Sequence, residues 1–223
     1  MFSVRRIIDR LLDNPTLNGI FLALDWAKAF DSIAPDSLIE ALERFGIPKE
    51  FADMVVAIYA DRKFTITDSG RTSSTCKQAF GISQGCPLSP FLFVILMSVL
   101  MSDVYDDLWK LHGISLDAPL LINDLLYADD TLLVGNKTQT LEKFMIVIAY
   151  LGKQYGLELN WKKVEAMSSK VSDSLRGEND YEIEMKKSIL YLGSSISIDG
   201  SVTSEVSRRL GMDQQDFKAL SKI

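Results

Sequence analysis

Tyr127 Ala128 Asp129 Asp130 stands between two apolar stretches, Leu120 to Leu126 and Leu132 to Val134, so two adjacent acids interrupt what reads as a buried hairpin. Burying an ionised carboxylate costs several kcal/mol unless a cation or hydrogen-bond donors offset it. The economical solution for two of them at a hairpin tip is a divalent metal ion.

A second apolar strand, Ile20 to Leu24, ends at Asp25, after turn signals at Asn14 Pro15 and Asn18 Gly19. An antiparallel sheet can bring such strand ends together, and Asp25, Asp129 and Asp130 then share one cleft. Two unit charges about 4 Å apart repel by roughly 4 kcal/mol at an effective dielectric of about 20. With Mg²⁺ present, all three can stay ionised as oxygen ligands. Neighbouring strand side chains face opposite ways, so the two adjacent acids cannot contribute equally. Asp129 is the expected main ligand beside Asp25.

Composition closes off other chemistries. The 223 residues, 47% hydrophobic, suit one large domain or two small subdomains with a substantial core. Two cysteines, Cys76 and Cys86, and one histidine, His112, exclude a disulfide scaffold and the usual zinc spacings and nearly close off a hydrolase triad. The run Phe91 to Met101 falls short of the roughly 20 residues that cross a bilayer. Met1 to Leu12 carries Arg5, Arg6 and Arg10 without a long apolar segment, so the expected compartment is intracellular, with no membrane partner. A net charge of -6 and a pI near 4.9 are wrong for a free-standing nucleic-acid binder. The acidic excess is local, with seven acids against one lysine between Asp103 and Asp130.

Turn and cap residues predict helices over Pro35–Arg44 and from Pro48 to about Ala60, the second covering the core with Phe51, Met54, Val55 and Ile58. A hairpin follows, out through Lys63–Thr67 and back through Cys76–Phe80, and then a long helix from Pro87 to about Leu111. Further expectations are a helix over Thr138–Gln154, a strand over Leu157–Met167 and a hairpin over Ile183–Ile198 around Gly193. A closing helix from Thr203 would pack through Val206 and Leu210. Strands arriving as hairpins predict an α+β fold, a mainly antiparallel sheet backed by helices on one face.

The ordered blocks Leu24 Asp25 Trp26 Ala27 Lys28 Ala29 Phe30 Asp31, Gln84 Gly85 Cys86 Pro87 Leu88 Ser89 Pro90 and Tyr127 Ala128 Asp129 Asp130 resemble the reverse transcriptases. Their flavour is closest to the enzymes of non-LTR (LINE-type) retrotransposons and group II introns. The resemblance implies a polymerase palm with partial fingers over residues 1–200 and the start of a truncated thumb helix over 201–223. It implies RNA-directed DNA polymerase activity on an RNA template, a DNA primer and dNTPs. Two Mg²⁺ ions, with Mn²⁺ as an alternative, would be held by the residues matching Asp25, Asp129 and Asp130.

By the same resemblance Phe30 lies under the sugar and excludes a 2′-hydroxyl, and Gln84 and Gly85 contact the incoming nucleotide and template base. Lys163 lies near the leaving pyrophosphate, Tyr191, Leu192 and Gly193 grip the primer end, and Asp31 plays a supporting part outside the metal shell. Val164 stands where a threonine or serine often follows, and Ser83 where many relatives place a basic residue. Only about 20 residues precede the first strand and the thumb helix is cut at Ile223, so a truncated domain is expected. The alternative is an inactive relic or a domesticated domain binding nucleic acid or protein. A nucleotide cyclase is disfavoured by Phe30 and by Gln84 to Pro90.

Overall fold

The computed structural model describes residues 1–114, 124–170 and 174–220. The Leu120–Asn123 part of the expected hairpin lies outside these residues. In chain order come α1 (Phe2–Asp13), β1 (Ile20–Leu24), α2 (Ala29–Ser32), α3 (Pro35–Phe45) and α4 (Lys49–Tyr59). Four two-residue strands follow, β2 (Lys63–Phe64), β3 (Thr67–Asp68), β4 (Arg71–Thr72) and β5 (Cys76–Lys77), then α5 (Ser89–His112). Next are β6 (Asp124–Tyr127), β7 (Asp130–Gly135), α6 (Thr138–Gln154), a 3₁₀ turn at Trp161–Lys163 and β8 (Glu165–Ser168). The remainder is β9 (Leu175–Arg176), a second 3₁₀ turn at Glu178–Asp180, β10 (Glu182–Ile183), β11 (Met185–Lys186), β12 (Ser188–Tyr191), β13 (Ser194–Ser197) and α7 (Thr203–Leu220).

The chain divides into two compact units: Met1–Asp25, Ser115–Lys143 and Asn160–Ile223 form the first, and Trp26–Ile114 with Phe144–Leu159 the second. The first unit is built on a sheet in the order β11-β8-β1-β7-β6. Every pair in it is antiparallel except β11 with β8. Central β1 is buried at all five positions, as an uninterrupted apolar strand demands. Val4, Ile7, Ile8 and Leu11 of α1 form the cover of one face, packing with Phe21, Ala23, Leu132, Val134 and Met167. The α1 pattern places these four on one stripe at helical spacing.

Three expectations are corrected in this unit. The strand foreseen over Leu157–Met167 is broken: Leu159 makes a lone bridge to Trp26, the 3₁₀ turn intervenes, and β8 starts only at Glu165. The foreseen Ile183–Ile198 hairpin contributes its first residues to other ladders, and the hairpin proper is β12–β13. Val206 and Leu210 of α7 are exposed; Glu205 anchors the helix instead, accepting from the Ser195 N–H at 2.7 Å and from Arg208.

In the second unit, Pro35 opens α3 and Gly46 closes it, donating its N–H to the last carbonyls. The outward hairpin exists, but as two short ladders in succession, β2–β5 and β3–β4. α4 is corrected as well: Ala52 and Val55 are buried, while Phe51, Met54 and Ile58 face outward. Periodicity identifies residues sharing a face, and the smaller ones meet the core. Among the described residues no helix is long and apolar enough to cross a membrane.

Candidate active site

β1 and β7 pair from Ile20↔Gly135 to Leu24↔Thr131. Carrying that register one residue further sets Asp25 against Asp130, and opposed residues of an antiparallel pair project from the same face. Asp129 occupies the turn between β6 and β7 with Ala128, whose φ of +51° is the positive angle that a two-residue hairpin turn requires. The sheet register therefore brings Asp25 and Asp130 together, and the turn holds Asp129 beside them on the exposed rim.

Asp25 and Asp130 line a cleft of about 380 Å³ with Lys163, Glu165, Tyr191 and Gly193. The backbone N–H of Asn160 donates to the Asp25 carbonyl at 2.8 Å, fixing the following 3₁₀ turn so that Lys163 Nζ stands 3.6 Å from Asp25 Oδ1. The β12–β13 turn, Leu192 at φ +50° and Gly193 at +69°, is the tight left-handed kind that keeps two strands in register. Tyr191 is buried and donates from its hydroxyl to the Leu125 carbonyl at 3.2 Å. Burial, and then the negative charge of Asp130, push that hydroxyl up to about 12.

Asp130 carries the electrostatic signature of the cleft. Burial first, then the charges of Asp129 and Asp25, push its carboxyl above the usual range. Among the described residues no three His, Cys, Asp or Glu side chains converge closely enough to form a metal cage. Mg²⁺ is commonly held by one or two carboxylates with its remaining positions left to substrate and water. An oxygen-only pair with a third acid alongside, whose mutual repulsion a cation would relieve, fits such an open site.

Glu165 escaped the sequence analysis. Burial raises its carboxyl, but bonds from Lys186 Nζ at 2.6 Å and the Leu190 N–H at 2.9 Å outweigh that and hold it below the ordinary range. It ties β8 to β12 and so supports the Leu192–Gly193 turn. Nothing local distinguished it from any acid at a strand's start.

Phe30, Gln84 and Gly85 belong to the second unit. The half-buried Phe30 ring stacks on buried Phe93 with centroids 4.6 Å apart, and the Phe30 carbonyl accepts from the Ile82 N–H at 2.7 Å. That bond joins the Phe30 backbone to the loop carrying Gln84 and Gly85, both exposed. Gly85 turns through φ +84° with nothing within 4 Å of where a Cβ would stand, so the glycine serves the turn and leaves the space beside it open.

The sequence family described as reverse transcriptase (RNA-dependent DNA polymerase) matches residues 3–196. The chain belongs to this family. Among its relatives is the retrovirus-related Pol polyprotein of the type-1 retrotransposable element R2 of Popillia japonica, 29% identical over 160 residues that cover 72% of this chain and 26% of that polyprotein. The type-2 element R2DM of Drosophila melanogaster is 30% identical over 140 residues, covering 63% of this chain and 13% of its polyprotein. This is a reverse transcriptase domain of the non-LTR retrotransposon kind, spanning about a quarter or less of these relatives. Apo telomerase from Candida Tropicalis, truncated from its C-terminal domain, superposes with a TM-score of 0.61 at 19% identity, over 90% of this chain and 39% of that one. Candida albicans telomerase, in complex with a fragment of telomeric RNA, gives 0.63 at 18% identity, over 89% and 33%. These likenesses show the palm-like α+β fold. Reverse transcriptases generally use divalent metal ions.

Proposed function

We propose that this domain copies an RNA template into DNA by adding dNTPs to a primer 3′-hydroxyl. The observation that carries the reading is the facing of Asp25 and Asp130 at adjoining strand ends, in a cleft where burial and then neighbouring negative charge raise the Asp130 carboxyl. Asp25, Asp129 and Asp130 hold two Mg²⁺, with Mn²⁺ a substitute. Bound there, the ions supply activation of an attacking oxygen and stabilisation of a leaving one in an in-line phosphoryl displacement.

The chain's own residues do the rest. Lys163, its amine already at the Asp25 carboxylate, carries the positive charge and the proton suited to a departing pyrophosphate. Tyr191, Leu192 and Gly193 hold the primer end against the cleft they line. Phe30, braced flat on Phe93, keeps a rigid ring where the sugar lies and rejects a 2′-hydroxyl. Gln84 and Gly85 receive the nucleotide and its template base on an exposed loop.

Primer extension on an RNA template with dNTPs and Mg²⁺, run beside Asp129→Asn, tests this. Metal-dependent extension by the native chain and its loss in the variant are expected. A folded native chain that extends nothing would favour the second reading, an inactive family member, to which the acidic overall charge and the lysine at Asp25 lend support.

A further inference from the structure

Arg62, at the end of the α4 segment, reaches across to the loop before α5. Its guanidinium lies over the Tyr59 ring, 4.1 Å from the centroid. One end nitrogen donates to Ser83 Oγ and the other to the Gly81 carbonyl, each at 2.6 Å. Ser89 Oγ donates to the Ser83 carbonyl at 2.7 Å and meets Tyr59 Oη at 3.1 Å, closing a circuit through Tyr59, Arg62, Ser83 and Ser89. Ser89 is 1% exposed, so the circuit is rooted in the interior. Both acceptors of the guanidinium are neutral, and its Nε is buried without a partner. The group is committed to the loop.

The loop in turn holds the neighbouring segment. Gly81 donates its N–H to the Ile33 carbonyl at 2.8 Å and Ile82 to the Phe30 carbonyl at 2.7 Å. Gly81 has φ +82°, and a Cβ there would stand 2.6 Å from the Asp31 backbone, so the approach admits glycine alone. Gln84 and Gly85 follow directly on the pinned residues. Ser83 is neutral, and Arg62 brings a cation to its side chain from 21 positions upstream.

We infer that Arg62 is a positioning residue that presets the nucleotide-contacting loop and the Phe30 backbone together, and that it keeps a positive charge on a loop whose own residue 83 has none. The inference rests on the polymerase reading for what the loop contacts, but the clamp itself is a property of the fold. A planar fork with two separated donors is what the geometry uses, and lysine cannot reproduce it.

The experiment compares native chain, Arg62→Lys and the milder Ser83→Ala. Hydrogen exchange of the 81–86 amides and steady-state primer extension are measured. Arg62→Lys is expected to speed exchange of the loop amides about tenfold while α3 amides stay unchanged. It is also expected to raise the KM for dNTP about tenfold with kcat and RNA affinity within twofold. Ser83→Ala should shift both readouts in the same direction by about threefold. Unchanged loop exchange in Arg62→Lys overturns the clamp even if the native chain extends no primer, an outcome that would count against the polymerase reading alone. Faster exchange with KM, kcat and RNA affinity all worsening together overturns the specific positioning role and leaves Arg62 as general support.

Discussion

At the ends of β1 and β7 Asp25 and Asp130 line one cleft, with Asp129 in the turn alongside and a lysine amine 3.6 Å from Asp25, and Asp130 is pushed upward by burial and then by its acidic neighbours. In the loop before α5, by contrast, Tyr59, Arg62, Ser83 and Ser89 answer one another's donors and acceptors in a closed circuit. The Asp130 carboxyl, whose acidic neighbours add to its burden rather than relieve it, is held ready for something that arrives from outside. Polar groups tied to one another by hydrogen bonds and a ring contact hold geometry, and their removal loosens what they hold without touching the carboxylates.

Asp25→Asn should break this comparison most visibly. If Asp25 holds the metal as proposed, its loss removes several kcal/mol of transition-state stabilisation and is expected to lower primer extension about a thousandfold while the fold persists, checked by single-turnover kinetics and circular dichroism. Phe30→Val comes next: with the flat ring on Phe93 cut back, ribonucleotide incorporation relative to deoxynucleotide should rise roughly tenfold to a hundredfold. An unchanged ratio would remove Phe30 from sugar selection.

Smaller effects sharpen the contrast on stability. Asp130→Asn in metal-free buffer should raise Tm by about 2 °C, since it deletes a repulsion the native cleft carries, and added Mg²⁺ should stabilise native chain but not the variant. The reverse holds at Asp103 in the second unit, where hydrogen bonds from Arg44 and from the Tyr155 hydroxyl hold the carboxyl below its ordinary range. Its contribution is fully present above the unfolded-state value and disappears as pH falls through the lower folded-state value. Native chain should therefore lose Tm below about pH 4 more steeply than Asp103→Asn, measured by thermal melts across that range.

Much of the site was legible because a charge stands out against an apolar strand. Asp25 and Asp130 end or begin runs that are buried throughout, and Gly193 marked its turn. Strand alternation alone favours Asp129 over Asp130 as Asp25's companion; the ladder register, carried one residue on, puts Asp130 opposite and Asp129 in the turn. Arg62 and Glu165 went unseen for one reason. Their importance lies in a carbonyl, a hydroxyl or a strand that is distant in sequence, and no local period encodes it. The same limit applies to α4, where the pattern grouped Phe51, Met54, Val55 and Ile58 without revealing that only Val55 of these, together with Ala52 on the adjoining stripe, meets the core.

The position of β1 bears on how the protein comes off the ribosome. It is the middle strand, yet both of its ladder partners, Asp130–Gly135 and Glu165–Ser168, are translated long after it. Throughout that interval a five-residue apolar strand has two unpaired edges, the kind of segment that nascent chains aggregate through. Chaperone demand during synthesis should accordingly persist until Ser168 has emerged, and Asp25 acquires its opposing acid only once β7 has docked.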